Sequence, residues 1–108
     1  MPRVKITGLE IEKVKEISKL MIDDLQQIID CPRDYFILEC ANSSFVMDGE
    51  VVQTYPFIEV AWFDRGQEVQ DKAAKAITKH VHEAGCPNVD VIFTVLQENK
   101  YYENGEHF

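Results

Sequence analysis

Residues 30–38 read DCPRDYFIL, and residues 85–92 read GCPNVDVI. In each, a Cys-Pro pair follows a helix-like stretch and leads into an apolar run with strand character. Before the first pair, Ile11, Val14, Ile17, Leu20, Met21, Leu25, Ile28 and Ile29 recur in steps of three and four, one apolar helix face. Before the second, Val69, Ala73, Ile77 and Val81 recur every four residues. Each helix is itself preceded by a strand pattern, Val4–Thr7 in one case and Phe57–Phe63 in the other. The chain therefore reads as a βαβ unit written twice. Proline disfavours helical backbone in the residue before it, so Pro32 and Pro87 mark where each helix region has ended.

The remaining elements fill in around this repeat. Thr7 and Glu10 have capping-box spacing at the first helix, as do Asp64 and Gln67 at the second. Gly85 is placed as the second helix's C-cap. Tyr35–Ala41 reads as a strand that Phe45–Met47 extends. Asp48-Gly49 is a hairpin turn signal, with Val51-Val52 as the returning arm. Phe57–Phe63 is apolar enough to be covered on both faces. Val89–Val95 is the last strand, and the ending YYENGEHF holds an Asn104-Gly105 turn. The expected fold is α/β (α+β): two βαβ units in a four-stranded mixed sheet, with two helices on one face, over a single domain of residues 1–108. Two arrangements share this order. In the ferredoxin-like split βαβ a strand intervenes between the two strands of each unit; in the unsplit version they are neighbours.

Composition narrows the function classes. A formal net charge of −8 opposes non-specific nucleic-acid binding, which needs cations facing phosphates. Phe57, Trp62 and Phe63 sit with Glu59 and Asp64, so an aromatic RNA-binding strand is disfavoured as well. No apolar run reaches membrane-spanning length, and a cytoplasmic location is expected. The three cysteines, Cys31, Cys40 and Cys86, are an odd number without a CxxC pair. They read as reduced thiols, not as a disulfide framework or zinc site. His80 and His82 stand two apart and point in different directions on a helix, which disfavours a metal site, and they read as helix-surface residues. No cofactor or metal is expected.

Pro2 raises the chemical question. Loss of Met1 would leave its nitrogen a free secondary amine, a base fixed by its own ring. The structural alternative is a proline that starts an edge strand, where a missing N–H costs little. An N-terminal proline heading two βαβ units resembles the tautomerase superfamily, which includes macrophage migration inhibitory factor. Four places carry the resemblance: Met1-Pro2, Cys31-Pro32-Arg33-Asp34-Tyr35, the Asp48-Gly49 hairpin, and Pro56-Phe57 opening a strand that runs into Phe63-Asp64-Arg65-Gly66. YPFIEVAWFDRGQEVQDK and YYENGEHF look most like the superfamily's small bacterial branch, domain of unknown function 1904.

The resemblance implies a homotrimer with sites at subunit boundaries. It also implies keto–enol proton transfer on a small anionic carbonyl acid, with Pro2 as base. Arg65 falls in the loop where the family meets the substrate, and as an arginine it adds a bidentate carboxylate clamp. The family's basic slot before the junction proline is Cys31 here, and Arg33, two residues on, stands in as a second substrate cation. The family's second-strand arginine is Ile37, and polar positions of some relatives on the last strand are Val91 and Phe93. Those departures keep two alternatives open: a non-catalytic ligand-binding or assembly module on the same scaffold, and a ferredoxin-like sensing domain.

Overall fold

A computed structural model gives the fold and describes residues 2–107. The elements run β1 (Arg3–Thr7), α1 (Ile11–Ile29), β2 (Ile37–Cys40), β3 (Phe45–Met47), β4 (Glu50–Val52), β5 (Phe57–Trp62), α2 (Gln67–Glu83), β6 (Asp90–Val95), β7 (Tyr102–Glu103) and β8 (Glu106–His107). The main sheet has the order β2-β1-β5-β6. β1 lies parallel to its neighbour β2 and β5 parallel to β6, while β1 and β5 meet antiparallel at the centre. No strand intervenes within either βαβ unit, so the ferredoxin-like alternative is excluded. Each unit also opens on a buried proline, Pro2 before β1 and Pro56 before β5.

Alternation along the strands sorts the two faces. Val4, Ile6, Ile58, Val60 and Trp62 are fully buried beneath the helices. They meet Val14, Ile17, Met21, Leu25 and Ile29 of α1, and Ala73, Ile77 and Val81 of α2. Each fully buried Ile or Leu contributes about 1.5–3 kcal/mol, so this one layer carries the fold. The opposite face is open. Arg3, Lys5 and Glu59 stand exposed on it, and β5 alternates between buried and accessible positions. The expectation of a strand covered on both faces is therefore corrected for the single chain: β5 is covered on one.

Several local expectations change for identifiable reasons. Thr7 does not cap α1, because it still belongs to β1 and its hydroxyl donates to the Phe57 carbonyl at 3.1 Å. Glu10 occupies the N-cap position without a side-chain cap bond. At α2, Asp64 accepts the Gly66 N–H at 2.8 Å, and Gln67 donates to Asp71 one turn on. Neither capping box forms. Residues 33–35 make a 3₁₀ turn instead of beginning β2, and β3 pairs with β4 in a separate hairpin. Asp48 and Gly49 both take positive φ there, at 51° and 79°, as a tight two-residue hairpin turn requires. The ending forms a second hairpin around Asn104-Gly105.

His80 is the clearest correction. It is only 5% exposed, held between the helices with Nε2 2.6 Å from an Asp24 carboxylate oxygen. Seven residues beyond Ala73 and three beyond Ile77, it lies on the apolar face of α2.

Candidate active site at the Pro2 end of the sheet

The topology gathers chemistry at one end of the sheet. β1 and β2 begin there, and β5 and β6 end there. α1 returns from the far end, so its C-terminus and the Cys31–Tyr35 junction arrive at the same place, and α2 starts from it. Asp30 closes α1 in the left-handed conformation, with its N–H on the Gln26 carbonyl at 2.9 Å. That cap turns the chain into Cys31-Pro32, a common way to stop a helix before proline.

Pro2 stands at the head of a central strand, not an edge, which corrects the edge-strand alternative. Its carbonyl accepts the Ile37 N–H at 3.1 Å, tying β1 to β2. Its ring is less than 2% exposed. Proline suits this first position because it need not donate to a ladder. Trp62 is 1% exposed and packs against Phe93 with ring centroids 4.9 Å apart. The Trp62 carbonyl accepts the Leu96 N–H at 2.7 Å, which closes the ends of β5 and β6. Beyond it, Phe63 meets Tyr101 edge-on at 5.4 Å, bringing the base of the C-terminal hairpin against the site loop. The expectation that Met1 is trimmed falls on a residue outside the described range.

The two candidate arginines part company. Arg65 is exposed in the loop before α2 and makes no hydrogen bond or salt bridge among the described residues. Its charge is felt at Cys31. Burial pushes the half-buried Cys31 thiol above its usual pKa, and the Arg65 guanidinium pulls partly the other way. Arg33 instead turns back to α1. Its Nη1 lies 2.6 Å from Asp23, and Nη2 donates to the Lys19 carbonyl at 3.4 Å. With Lys19 it holds the Asp23 carboxyl below its ordinary 3.8. Arg33 thus staples the 3₁₀ turn to the helix.

One end thus places together a buried proline, a guanidinium without a partner among the described residues and a half-buried thiol. The α2 N-terminus opens there too, with Gly66 as a cap that offers no side chain. Such a helix start favours anions. Among the described residues, no three His, Cys, Asp or Glu side chains group to hold a metal. A cavity of about 460 Å³ lies at the opposite end, between the Gly8–Glu10 loop and the arm that carries β3 and β4. Among the described residues, no helix is long and apolar enough to cross a membrane.

Trp62 is legible as a core or interface residue, but its place one register step beyond the Arg3–Ala61 pair, at the Pro2 end of the sheet, is not. That follows from the antiparallel register, which no single-strand pattern contains.

The family described as Domain of unknown function (DUF1904) matches residues 1–107. A crystal structure of a DUF1904 domain from Sebaldella termitidis ATCC 33386 is 39% identical, covers 100% of both chains and superposes with a TM-score of 0.92. A macrophage migration inhibitory factor-like protein from Entamoeba histolytica is 23% identical over 99% of this chain and 98% of its own, with a TM-score of 0.63. A fused 4-OT, described as an asymmetric trimer, is 10% identical over 97% and 94%, with a TM-score of 0.78. The last two show the fold alone. No match was found among curated proteins. The chain belongs to the DUF1904 family, and its fold is that of the tautomerases.

Proposed function

We propose that this protein is a tautomerase that moves a proton between carbon and oxygen of a small carbonyl acid. The observation that carries this is Pro2, buried at the head of a central strand, at the end of the sheet where Arg65 lies without a partner among the described residues. With Met1 removed, the Pro2 nitrogen is a secondary amine. A base works best with a pKa near the working pH. An α-amino group starts at about 7.7–8.0, and burial lowers it because the cation loses hydration.

In the proposed step, neutral Pro2 takes the proton from the carbon beside the carbonyl. The C–H electron pair becomes the enolate double bond, and the carbonyl pair moves onto oxygen. Arg65 holds the carboxylate, and the start of α2 favours the developing negative charge. The proton on Pro2 then returns to oxygen or carbon. Arg33 keeps the junction against α1, one step back from the substrate. The working unit is a homotrimer. The open sheet face supports this, because it sets Lys5 between Glu39 and Glu59 in cross-strand register and leaves Ile37 and Ile92 accessible. Val46, Met47 and Val51 likewise stand out on the β3–β4 arm. The three free thiols suit a reducing, cytoplasmic setting.

Intact mass of the purified protein is the first test, and a retained Met1 rules the mechanism out. With Met1 gone, enol–keto conversion of phenylpyruvate is expected and should be lost in Pro2→Ala. Activity that survives that substitution removes Pro2 from the chemistry. The apolar Ile37, Val91 and Phe93 favour a second reading, a binding module on the same scaffold. It is marked by phenylpyruvate binding without turnover.

A further inference from the structure

We propose that Trp62 is a positioning residue for Pro2, its indole excluding water from the imino nitrogen and keeping that nitrogen uncharged near neutrality. This role presupposes the Pro2 chemistry proposed above.

Three observations lead to it. Arg3 pairs with Ala61 across the antiparallel β1–β5 ladder, so the next register positions outward are Pro2 on one strand and Trp62 on the other. Both sit on the helix side, in the same column as Val4 and Val60. Cross-strand neighbours of this kind have Cβ atoms about 4.5–5.5 Å apart. Second, both residues are essentially fully buried. A protonated amine beside an indole in that setting loses hydration that a neutral amine does not need. Third, the Trp62 Nε1–H is the one buried side-chain polar atom without a hydrogen-bond partner among the described residues. A neutral imino nitrogen offers a lone pair to a donor, and a protonated one offers only a second N–H. Within reach of that nitrogen, the unmet Trp62 donor works in the same direction as the dry wall.

The charged groups brought to this end are all exposed. They are Arg3 of β1, Asp30, Arg33 and Asp34 of the junction, Asp64 and Arg65 of the loop and Glu68 of α2, joined by Glu98 and Lys100 after β6; Arg33 is paired with Asp23. Arg3 faces the other side of the sheet, 3.9 Å from Glu39, and Asp64 is engaged with the Gly66 N–H. Cys31 is half-buried, and burial keeps its thiol protonated. Water screens the exposed charges, which leaves the apolar wall as the strongest influence.

The test follows the imino nitrogen itself rather than turnover. The protein is labelled with ¹⁵N-proline and treated with methionine aminopeptidase until its mass matches a Pro2 N-terminus. The ¹⁵N shift is then followed against pH in the parent, Trp62→Phe, Trp62→Ala and Arg65→Gln. The parent midpoint is expected below about 7.7. Trp62→Phe, which keeps an aromatic ring but removes the N–H, should raise it by roughly half a pH unit, and Trp62→Ala by about one unit. Arg65→Gln should move it less than Trp62→Ala does. Midpoints in both Trp62 variants within about 0.2 units of the parent overturn the proposal. Trp62→Phe preserves the core, so it decides the matter should Trp62→Ala fail to fold. A Met1 retained in the expressed protein defeats the tautomerase mechanism, yet the trimmed protein still answers for Trp62. Absence of turnover beside the expected midpoints has the same effect.

Discussion

Gly8 and Gly49 share a backbone conformation, φ +79° in both, but not their surroundings. A Cβ built on Gly8 falls 2.7 Å from the Tyr55 carbonyl oxygen, 3.1 Å from its carbonyl carbon and 3.2 Å from the Pro56 Cα. A Cβ on Gly49 meets nothing within 4 Å. Alanine in either place incurs the left-handed penalty of about 1–2 kcal/mol. Only Gly8→Ala adds a collision, and the atoms it strikes are backbone held at the start of β5. Overpacking of that kind costs about 1–3 kcal/mol. Gly8→Ala is thus expected to lose about 2–5 kcal/mol in total. Gly49→Ala should lose no more than about 2 kcal/mol, and less where the exposed hairpin opens locally before the core does. Urea denaturation at one fixed protein concentration gives both values, and holding the concentration removes any contribution from assembly. In a thermal melt, each kcal/mol corresponds to about 4–8 °C for a domain near this size. Losses that agree within about 0.5 kcal/mol would refute the steric argument, since the shared dihedral would then account for everything.

Asp24→Ala should cost about 1–2 kcal/mol by urea denaturation, because it strips the acceptor from a buried His80 while the half-exposed carboxylate site admits some replacement water; a joint Asp24→Leu, His80→Leu change should cost less than the two single changes summed. Cys31 should alkylate more slowly than a free cysteine at neutral pH, because burial raises its pKa and leaves less thiolate, and Arg65→Gln should slow it further by removing the opposing charge; peptide mass mapping over time reads both. Arg33 and Lys19 depress the Asp23 pKa, so the pairing adds stability above the ordinary 3.8 that is lost as pH falls through the folded-state value; an NMR titration should show the Asp23 midpoint rising in Arg33→Ala.

What the sequence made legible is what repeats along one element. The three-and-four spacing from Ile11 to Ile29 marked α1 to its ends, and Asp48-Gly49 and Asn104-Gly105 marked both hairpins. Features that depend on a second element stayed hidden. Thr7 had capping spacing, yet Phe57, fifty residues away, supplied a better partner for its hydroxyl. Arg33 is near Cys31 in the chain, while its pairing with Asp23 depends on the 3₁₀ turn that aims it at α1. His80 passed for a surface residue because its partner, Asp24, lies on the other helix, although its spacing from Ala73 and Ile77 already placed it inward. At the site, Pro2 and Arg65 were nameable by resemblance. Trp62 entered only with the register.

Both units open on a proline, yet only one of the two can serve the chemistry proposed for Pro2. Pro56 does for β5 what Pro2 does for β1, and the sheet has two ends related by that internal likeness. The nitrogen of Pro56 is spent in its peptide link to Tyr55, so it has no lone pair available for chemistry. The hollow near Gly8 lies at that second end. The chemistry proposed for Pro2 therefore has no counterpart at Pro56, although the two prolines open equivalent strands.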